Sequence, residues 1–280
     1  MMAIGQHIDL DFPEETFSAI RELVKTARNL DLGGYKDKCI KRRIAIRIRA
    51  TRSDTPEEYY QFIRNNPAEL DHLLKVITIH VSQFFRNPST FAKLKDEIIP
   101  YLFTLAEQDD PPELSFWSVG CAGGEEPYTL ALLLRDAFAE EMDRVKVDIL
   151  ATDLDAASLE TALAGKYPPE RLKELPEPLK QQYFEPDGHQ FKLAADIRNM
   201  VRFDQQDILR PDLYPQSALI LCRNVLIYLE REEQQRVMRG FANSLRPGGI
   251  LVLGKSETLV GEARSLFTTI CPIERIYRKK

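Results

Sequence analysis

A glycine-rich turn and an acid at the end of the next apolar run are the first residues in this sequence whose types could do chemistry. The apolar run that ends at Val119 leads into Gly120-Cys121-Ala122-Gly123-Gly124, and Asp153 ends the next such run. Glycine allows a sharp turn and a close approach to a ligand, and free N–H groups at a turn favour an electron-rich group. An acid after the following strand can accept hydrogen bonds from ribose hydroxyls. The two motifs together indicate a nucleotide-like ligand.

The charges beside the turn narrow the class of ligand. Ala122 takes the place of a middle glycine, so the dinucleotide GxGxxG pattern is not met, and no GxxxxGK[ST] sequence occurs. Glu125 and Glu126 follow the turn directly and would repel a diphosphate. They suit S-adenosylmethionine, which has an adenosine, a sulfonium and an ammonium but no phosphate. The alternative is that both acids only cap a helix.

Composition excludes several other classes of protein. The 280 residues carry a net charge of −5, with 44% hydrophobic and 29% charged residues, which is typical of a globular protein and disfavours a nucleic-acid binder. No stretch is apolar enough to insert into a membrane, and the N-terminus lacks the features of a secretory signal. Four dispersed cysteines and four dispersed histidines predict no metal site and a reduced, cytoplasmic protein.

Hydrophobic periodicity divides the chain into two halves. Residues 11 to about 88 have helical spacing, with an N-cap at Thr55 before Pro56 and a further helix over Pro67–Ile77. From about residue 113, short apolar runs alternate with helical segments, which predicts βαβ units and a mainly parallel sheet. Residues 166–203 interrupt this alternation, and we interpret them as an inserted subdomain with short antiparallel strands.

One basic segment stands out within the helical half. Residues 36–52 contain eight basic residues and one acid, a net of +7, which leaves −12 for the rest of the chain. Such a segment suggests an acidic partner, although a solvated helix face explains it equally well. Its isoleucines fit a helix through Ile40, Ile44 and Ile48, or a strand through Ile44, Ile46 and Ile48. We favour the helix because the neighbouring segments are helical.

Four longer motifs occur in one order along the chain. Residues 77–87, 124–128, 151–155 and 222–228 resemble the signature segments of the bacterial chemotaxis receptor glutamate methyltransferases. Residues 245–254 resemble the late LxPGGxL element of S-adenosylmethionine-dependent methyltransferases. The resemblance implies an α/β fold: a small all-helical N-terminal domain (1–88), then a Rossmann-like class I methyltransferase domain (89–280) with an inserted antiparallel β-subdomain (166–203).

The resemblance also implies residues for the site. It places S-adenosylmethionine, and its product S-adenosylhomocysteine, against His80, Ser82, Arg86, Gly120, Ala122, Glu125, Asp153, Asp207, Ile208, Arg223 and Asn224. Glu125 would bind the methionyl ammonium, Asp153 the ribose, and Asp207 with Ile208 would flank the adenine. The family usually has Asn where this chain has His80 and Asp207. His80 could instead be a packing histidine.

The implied reaction is transfer of a methyl group to receptor glutamates. Arg86 and Tyr228 would lie at the methyl-transfer centre, although the Tyr228 ring could simply pack beneath the cofactor. The basic helix would dock on acidic receptor helices through Arg42, Arg43, Arg47 and Arg49.

The resemblance also bears on targeting and leaves other functions open. A short loop between Phe184 and Phe191 predicts the type that needs no receptor pentapeptide, and we expect a monomer. The alternatives are a methyltransferase for another substrate, a catalytically silent adaptor and, less favoured, a nicotinamide dehydrogenase.

Overall fold

The computed structural model describes residues 12–28, 30–78 and 82–280. The chain divides into two compact units between Ile79 and His80, whereas the sequence placed the domain boundary at residue 88. Within the described ranges, no helix has both the length and the apolar character needed to cross a bilayer.

The first unit is built from helices. Their bounds are α1 Glu14–Arg28, α2 Asp37–Thr51, α3 Pro56–Asn65 and α4 Pro67–Ile77. The Thr55 side chain accepts a hydrogen bond from the N–H of Glu58 at 3.2 Å, so the predicted N-cap of α3 is confirmed. The predicted helix over Pro67–Ile77 is confirmed as well.

The basic segment forms the helix α2 rather than a strand. Ile40, Ile44 and Ile48 are buried, while Ile46 is 42% exposed. This burial follows the helical period of 3.6 residues, which brings every fourth residue to one face. A half-buried strand would instead have buried Ile44, Ile46 and Ile48 together, so the side-chain burial decides between the two predictions.

The second unit contains the predicted mainly parallel sheet. Its strands are β1 Glu113–Val119, β2 Lys146–Asp153, β6 Val201–Gln205, β7 Ser217–Cys222, β8 Leu245–Leu253, β9 Phe267–Cys271 and β10 Ile276–Lys279. They are ordered β6-β2-β1-β7-β8-β10-β9. The first five run parallel, and β10 is antiparallel to both its neighbours. All six residues of β7 are buried, as expected for a strand covered on both faces.

Helices precede these strands and connect them. Their bounds are α5 Pro88–Lys93, a π-helical turn Leu94–Ile98, α6 Ile99–Ala106, α7 Glu125–Ala137, α8 Ala139–Met142, α9 Ala156–Ala164, α10 Glu177–Tyr183, α11 Ala195–Arg198, α12 Arg231–Ser244 and α13 Ala263–Leu266. The helix α7 begins at Glu125, directly after the glycine turn.

The inserted segment forms a separate antiparallel sheet, as predicted. Its strands are β3 Lys166–Tyr167, β4 Phe184–Asp187 and β5 Gln190–Leu193, ordered β3-β5-β4. The ring of Phe84 packs edge-on against Tyr167 and Phe184, with centroid separations of 4.8 and 5.2 Å. This contact ties the insertion to the segment that precedes α5.

Candidate functional site

The predicted ligand-binding residues follow neighbouring strands of the large sheet. Gly120 follows β1, Asp153 ends β2, Asp207 comes shortly after β6, and Arg223 follows β7. These strands are adjacent and parallel in the order β6-β2-β1-β7, so their carboxyl ends lie at one edge. Ligands of open α/β sheets bind at this edge, beside the point where the strand order reverses.

A backbone N–H group of the glycine turn is hydrogen-bonded to an acidic side chain and is not available to an anionic ligand. Gly120 and Ala122 have φ angles of +67° and +50°. The N–H of Ala122 donates to Oδ2 of Asp153 at 2.8 Å. A Cβ on Gly120 would lie 2.5 Å from the Val225 side chain, so this position needs glycine for space as well as for conformation. Because an acid already accepts from the turn, the structure disfavours a phosphate ligand there.

The loop after β6 is joined to the same acid. The N–H of Gln206 donates to the backbone carbonyl of Asp153 at 3.0 Å. Asp207 Oδ1 accepts from the N–H of Leu209 at 2.8 Å. The side chain of Ile208 is buried. The pair predicted to flank an adenine is therefore set beside the acid predicted to bind its ribose.

Glu125 is the most deeply buried acid of the site. It begins α7 and is 2% exposed. Its Oε1 lies 3.4 Å from Nη1 of Arg171, which belongs to the insertion. The same Nη1 donates to the carbonyl of Ser82. A buried carboxylate needs hydrogen-bond donors or a compensating charge. At Glu125 that charge is the Arg171 guanidinium, so a cationic group is already accommodated at this position.

Glu126 has a different role from its neighbour. Its Oε2 lies 3.2 Å from Nη1 of Arg223, and its Oε1 accepts from the hydroxyl of Ser118 at 2.9 Å. The buried Arg223 also donates through Nη2 to the carbonyl of Arg86 at 2.7 Å and to Oδ1 of Asn87 at 2.8 Å. Arg223 thus holds the segment that carries Arg86.

A buried acid organises the loop that carries Asn224 and Tyr228. Glu257 is 5% exposed; its Oε2 accepts from the N–H of Asn224 at 2.9 Å and of Gly254 at 2.7 Å. Its Oε1 accepts from the N–H of Ile227 at 3.2 Å. Asn224 is held in the left-handed region at φ +65°, and Tyr228 ends the following 3₁₀ turn, partly exposed.

Burial raises the pKa of Glu257, and its backbone hydrogen bonds partly oppose that rise. Sequence reasoning missed this residue. The available signal was an acid three positions after Gly254, which follows the last parallel strand.

A pocket brings together two residues of the predicted cofactor-binding segment. It has a volume of about 330 Å³ and is lined by Ser82, Gln83, Arg86, Asn87, Pro88 and Glu174. Glu174 comes from the insertion, which therefore contributes one wall. The remaining predicted residue of this segment, His80, lies outside the described residues.

The arginines predicted for docking differ in exposure. Arg47 Nε and Nη2 donate to the two carboxylate oxygens of Glu69 at 2.8 and 2.7 Å. Glu69 is buried and also accepts from the hydroxyl of Tyr59 at 3.1 Å. Arg42 and Arg49 are exposed, and Arg43 is half-buried. Arg47 therefore has a structural role within the helical unit.

Comparison with known proteins agrees with this architecture. Residues 15–78 match the family described as "CheR methyltransferase, all-alpha domain". Residues 80–273 match "CheR methyltransferase, SAM binding domain". The chain belongs to the CheR methyltransferase family.

Curated relatives of this CheR-family chain carry names from chemotaxis. It is 35% identical to a chemotaxis protein methyltransferase of Listeria innocua over 89% of this chain and 92% of that protein. It is 31% identical to chemotaxis protein methyltransferase 2 of Pseudomonas aeruginosa over 90% and 89% of the two chains. A solved O-methyltransferase family protein from Burkholderia thailandensis, 14% identical, covers 68% of this chain and 42% of its own with a TM-score of 0.36.

The residues at the carboxyl edge fit the cofactor of a CheR-family methyltransferase. Glu125, Asp153 and Asp207 give the edge a negative character that suits a ligand with an ammonium and a sulfonium. Among the residues that the structure describes, no group of three or more His, Cys, Asp or Glu side chains could hold a metal ion.

Proposed function

We propose that this protein transfers a methyl group from S-adenosylmethionine to glutamate carboxylates of chemotaxis receptors, forming glutamate methyl esters for sensory adaptation. The observation that carries the proposal is the buried Glu125 at the glycine turn, at the same sheet edge as Asp153, which ends β2, and Asp207, which lies two residues after β6. The names of the chemotaxis relatives support the choice of substrate. We expect the protein to work in the cytoplasm as a monomer.

The chain offers a distinct group for each part of the cofactor. Glu125 would bind the ammonium, Asp153 the ribose hydroxyls, and Asp207 the adenine amino group. When bound, S-adenosylmethionine supplies an electrophilic methyl group on its sulfonium sulfur. Asn224 and Ser82 would line the cofactor beside its reactive end, and Arg86 would hold that end from the pocket wall.

The nucleophile requires little activation from the protein. A glutamate side chain has a reference pKa of about 4.3, so the receptor carboxylate is ionised at neutral pH and needs no general base. The chain's task is orientation, which can contribute roughly 7–11 kcal/mol. Arg86 would hold the incoming acid in line, and Tyr228 would position the carboxylate or the methyl group.

The exposed face of α2 would dock on acidic receptor helices. Lys38, Arg42 and Arg49 are exposed. Their successive spacings of four and seven residues place them on one face of the helix. The exposed Ile46 lies beside them. Charges of this kind contribute steering and register more than affinity. The docking face proposed from the structure is therefore Lys38, Arg42 and Arg49, with Arg47 outside it.

A methyl-transfer assay tests the reaction. Purified protein, tritiated S-adenosylmethionine and receptor-bearing membranes should yield base-labile label in the receptor band. The matched control is a receptor variant in which glutamine replaces the glutamates at the methylation sites, and it should stay unlabelled. Label only in small molecules would point to a methyltransferase for another class of substrate. Cofactor binding without any methyl transfer would point to a catalytically silent adaptor.

Charge reversal tests the docking face. The double variant R42E/R49E should raise the apparent KM for receptor severalfold and reduce its dependence on salt, because two steering charges become repulsive. Its kcat should stay near that of the unaltered protein. An unchanged KM and salt dependence would mean that this face is only solvated.

A tyrosine variant tests the methyl-transfer centre. Tyr228→Phe removes the hydroxyl but keeps the ring, so it should lower kcat about tenfold with little change in cofactor affinity if the hydroxyl positions a reactant. An unchanged kcat would remove any role for the hydroxyl.

The hairpin of the insertion supports pentapeptide independence. A two-residue turn, Gly188 and His189, joins β4 to β5 and leaves no extended glycine-rich loop there. Calorimetry with a free receptor-tail pentapeptide should show no binding at micromolar concentrations. Measurable micromolar affinity would contradict the proposal.

A further inference from the structure

Arg171 joins the insertion to the proposed cofactor site, and no sequence motif pointed to it. It lies in the 3₁₀ turn Pro169–Leu172, after β3. Its Nη1 lies 3.4 Å from Glu125 Oε1 and donates to the carbonyl of Ser82. Its own carbonyl accepts from the N–H of Phe84 at 2.9 Å. One arginine therefore contacts both the glycine-turn helix and the segment that leads to Arg86.

The charges around Glu125 set a condition on the ligand. Its carboxylate is buried, whereas the side chain of Arg171 is 32% exposed and so lies at the accessible side of the pair. An ammonium that binds Glu125 comes close to the Arg171 guanidinium, and two like charges at such a distance repel. A ligand that brings its own carboxylate next to the ammonium removes this repulsion, because the carboxylate can pair with the guanidinium.

We infer that Glu125 and Arg171 together form the subsite for the zwitterionic α-amino-acid end of the cofactor, Glu125 binding the ammonium and Arg171 the carboxylate. The inference rests on the proposed placement of S-adenosylmethionine in this site. It makes the insertion part of the cofactor site as well as a wall of the adjacent pocket. It also predicts discrimination against adenosyl ligands that lack the carboxylate.

The position of Arg171 is fixed by the fold around it. The hydroxyl of Tyr167 donates to the carbonyl of Gly123 at 2.7 Å, which anchors the start of the insertion on the glycine turn. The Phe84 ring packs between Tyr167 and Phe184. Because the backbone that carries Arg171 is anchored in this way, the side chain loses little conformational freedom when a ligand binds, which suits it to recognition.

Calorimetry with two matched ligands tests the inference. The ligands are S-adenosylhomocysteine and 5′-deoxy-5′-(3-aminopropylthio)adenosine, which keeps the ammonium and lacks the carboxylate. The unaltered protein should bind S-adenosylhomocysteine about tenfold more tightly than the analogue, since a charge-assisted hydrogen bond of this type is then lost. Arg171→Gln should remove most of that ratio by weakening only S-adenosylhomocysteine.

Two further variants make the result decisive. Lys173→Gln removes an exposed positive charge from the same segment and should keep the tenfold ratio. Arg171→Lys keeps the charge without the planar fork and should keep part of the ratio. The melting temperature of each variant, measured without ligand, shows whether it is folded.

Several outcomes would overturn the inference. If Arg171→Gln weakens both ligands equally, Arg171 only supports the segment at Ser82. If it weakens neither, or if the unaltered protein binds the two ligands equally well, Arg171 does not bind the carboxylate. In those cases the proposed methyltransferase function stands, since S-adenosylhomocysteine still binds. Failure of the unaltered protein to bind either ligand would instead refute the proposed cofactor site and the inference with it.

Discussion

The ionic side chains at the sheet edge and those on the docking face of α2 differ in burial. At the carboxyl edge of the sheet, Glu125 and Arg223 are buried in ion pairs. On α2, Arg42 and Arg49 are exposed, and Arg47 is held by Glu69. Buried charges have a fixed geometry, which suits the orientation of a small ligand. Exposed charges have reach, which suits the capture of a large acidic partner. Burial, and not residue type, therefore separates the charges that recognise a partner from those that support the fold.

Arg47 is the exception on α2 and should give the largest effect, because it lies in the basic helix but is paired with a buried acid. Arg47→Met leaves the Glu69 carboxylate buried without its bidentate partner, so it should destabilise the helical unit by about 3 kcal/mol. Chemical unfolding of the full chain, followed by circular dichroism, measures this loss.

A matched variant and a double variant separate charge from burial in this test. Arg49→Met removes an exposed cation of the same helix and should leave stability unchanged within about 0.5 kcal/mol. Adding Glu69→Gln to Arg47→Met removes the uncompensated charge and should restore much of the loss. Equal destabilisation by Arg47→Met and Arg49→Met would mean that the ion pair contributes nothing.

Glu125 tests the buried side of the comparison. Glu125→Gln removes the negative charge but keeps the size of the side chain. It should weaken S-adenosylhomocysteine binding by about 2 kcal/mol, or roughly thirtyfold, because a charge-assisted hydrogen bond becomes a neutral one. Titration calorimetry measures the change. The exposed Glu160→Gln is the control and should bind like the unaltered protein; an equal affinity for Glu125→Gln would contradict the assignment of the ammonium.

Glu257 is a buried acid that accepts hydrogen bonds from backbone N–H groups instead of pairing with a charge. Glu257→Gln replaces one acceptor oxygen by an NH₂ group that faces backbone N–H donors. We expect a loss of about 1.5 kcal/mol in stability and a fall in kcat, since Asn224 and Tyr228 lie on the loop that Glu257 holds. Unfolding and single-turnover rates measure the two effects. The exposed Glu262→Gln should change neither.

The stability difference between the unaltered protein and Glu257→Gln should depend on pH. Burial raises the pKa of Glu257, so the folded protein binds this proton more tightly than the unfolded chain does. Lowering the pH from neutrality towards the ordinary glutamate range therefore favours the folded state at this position. The unaltered protein should gain stability relative to Glu257→Gln over that interval in urea unfolding. A constant difference between the two proteins would show that the carboxyl group does not titrate there.

Much of the fold could be predicted because it follows from local patterns. The alternation of apolar runs and helical segments predicted the parallel sheet, and the proline-rich interruption predicted the antiparallel insertion. The glycine turn and Asp153 could be singled out because each follows a predicted strand, and the carboxyl ends of parallel strands share an edge. Asp207, Arg223 and Asn224 were named from the family resemblance, and the structure places them after strands at the same edge. Local periodicity alone left α2 ambiguous, and the exposure of Ile46 resolved it.

The supporting residues could not be predicted because they depend on distant partners. Arg47 looked like its neighbours until Glu69, 22 positions later, was seen to hold it. Arg171 and Glu257 lie outside any recognised motif, yet each contacts residues of the site across the fold. A sequence pattern shows which side chains are charged, but the partner that fixes each charge comes only from the packing.

The hairpin formed by β4 and β5 has a tip that tolerates change, although the strand beside it is constrained. On the neighbouring strand β3, Tyr167 pairs with Phe191 of the hairpin and donates to the glycine turn. At the hairpin tip, a Cβ added to Gly188 would meet nothing within 4 Å. Residues added at the tip would therefore extend into solvent without disturbing the sheet or the turn. The hairpin is a natural place for grafting a recognition peptide, and a fusion partner inserted between Gly188 and His189 should leave methyl transfer intact.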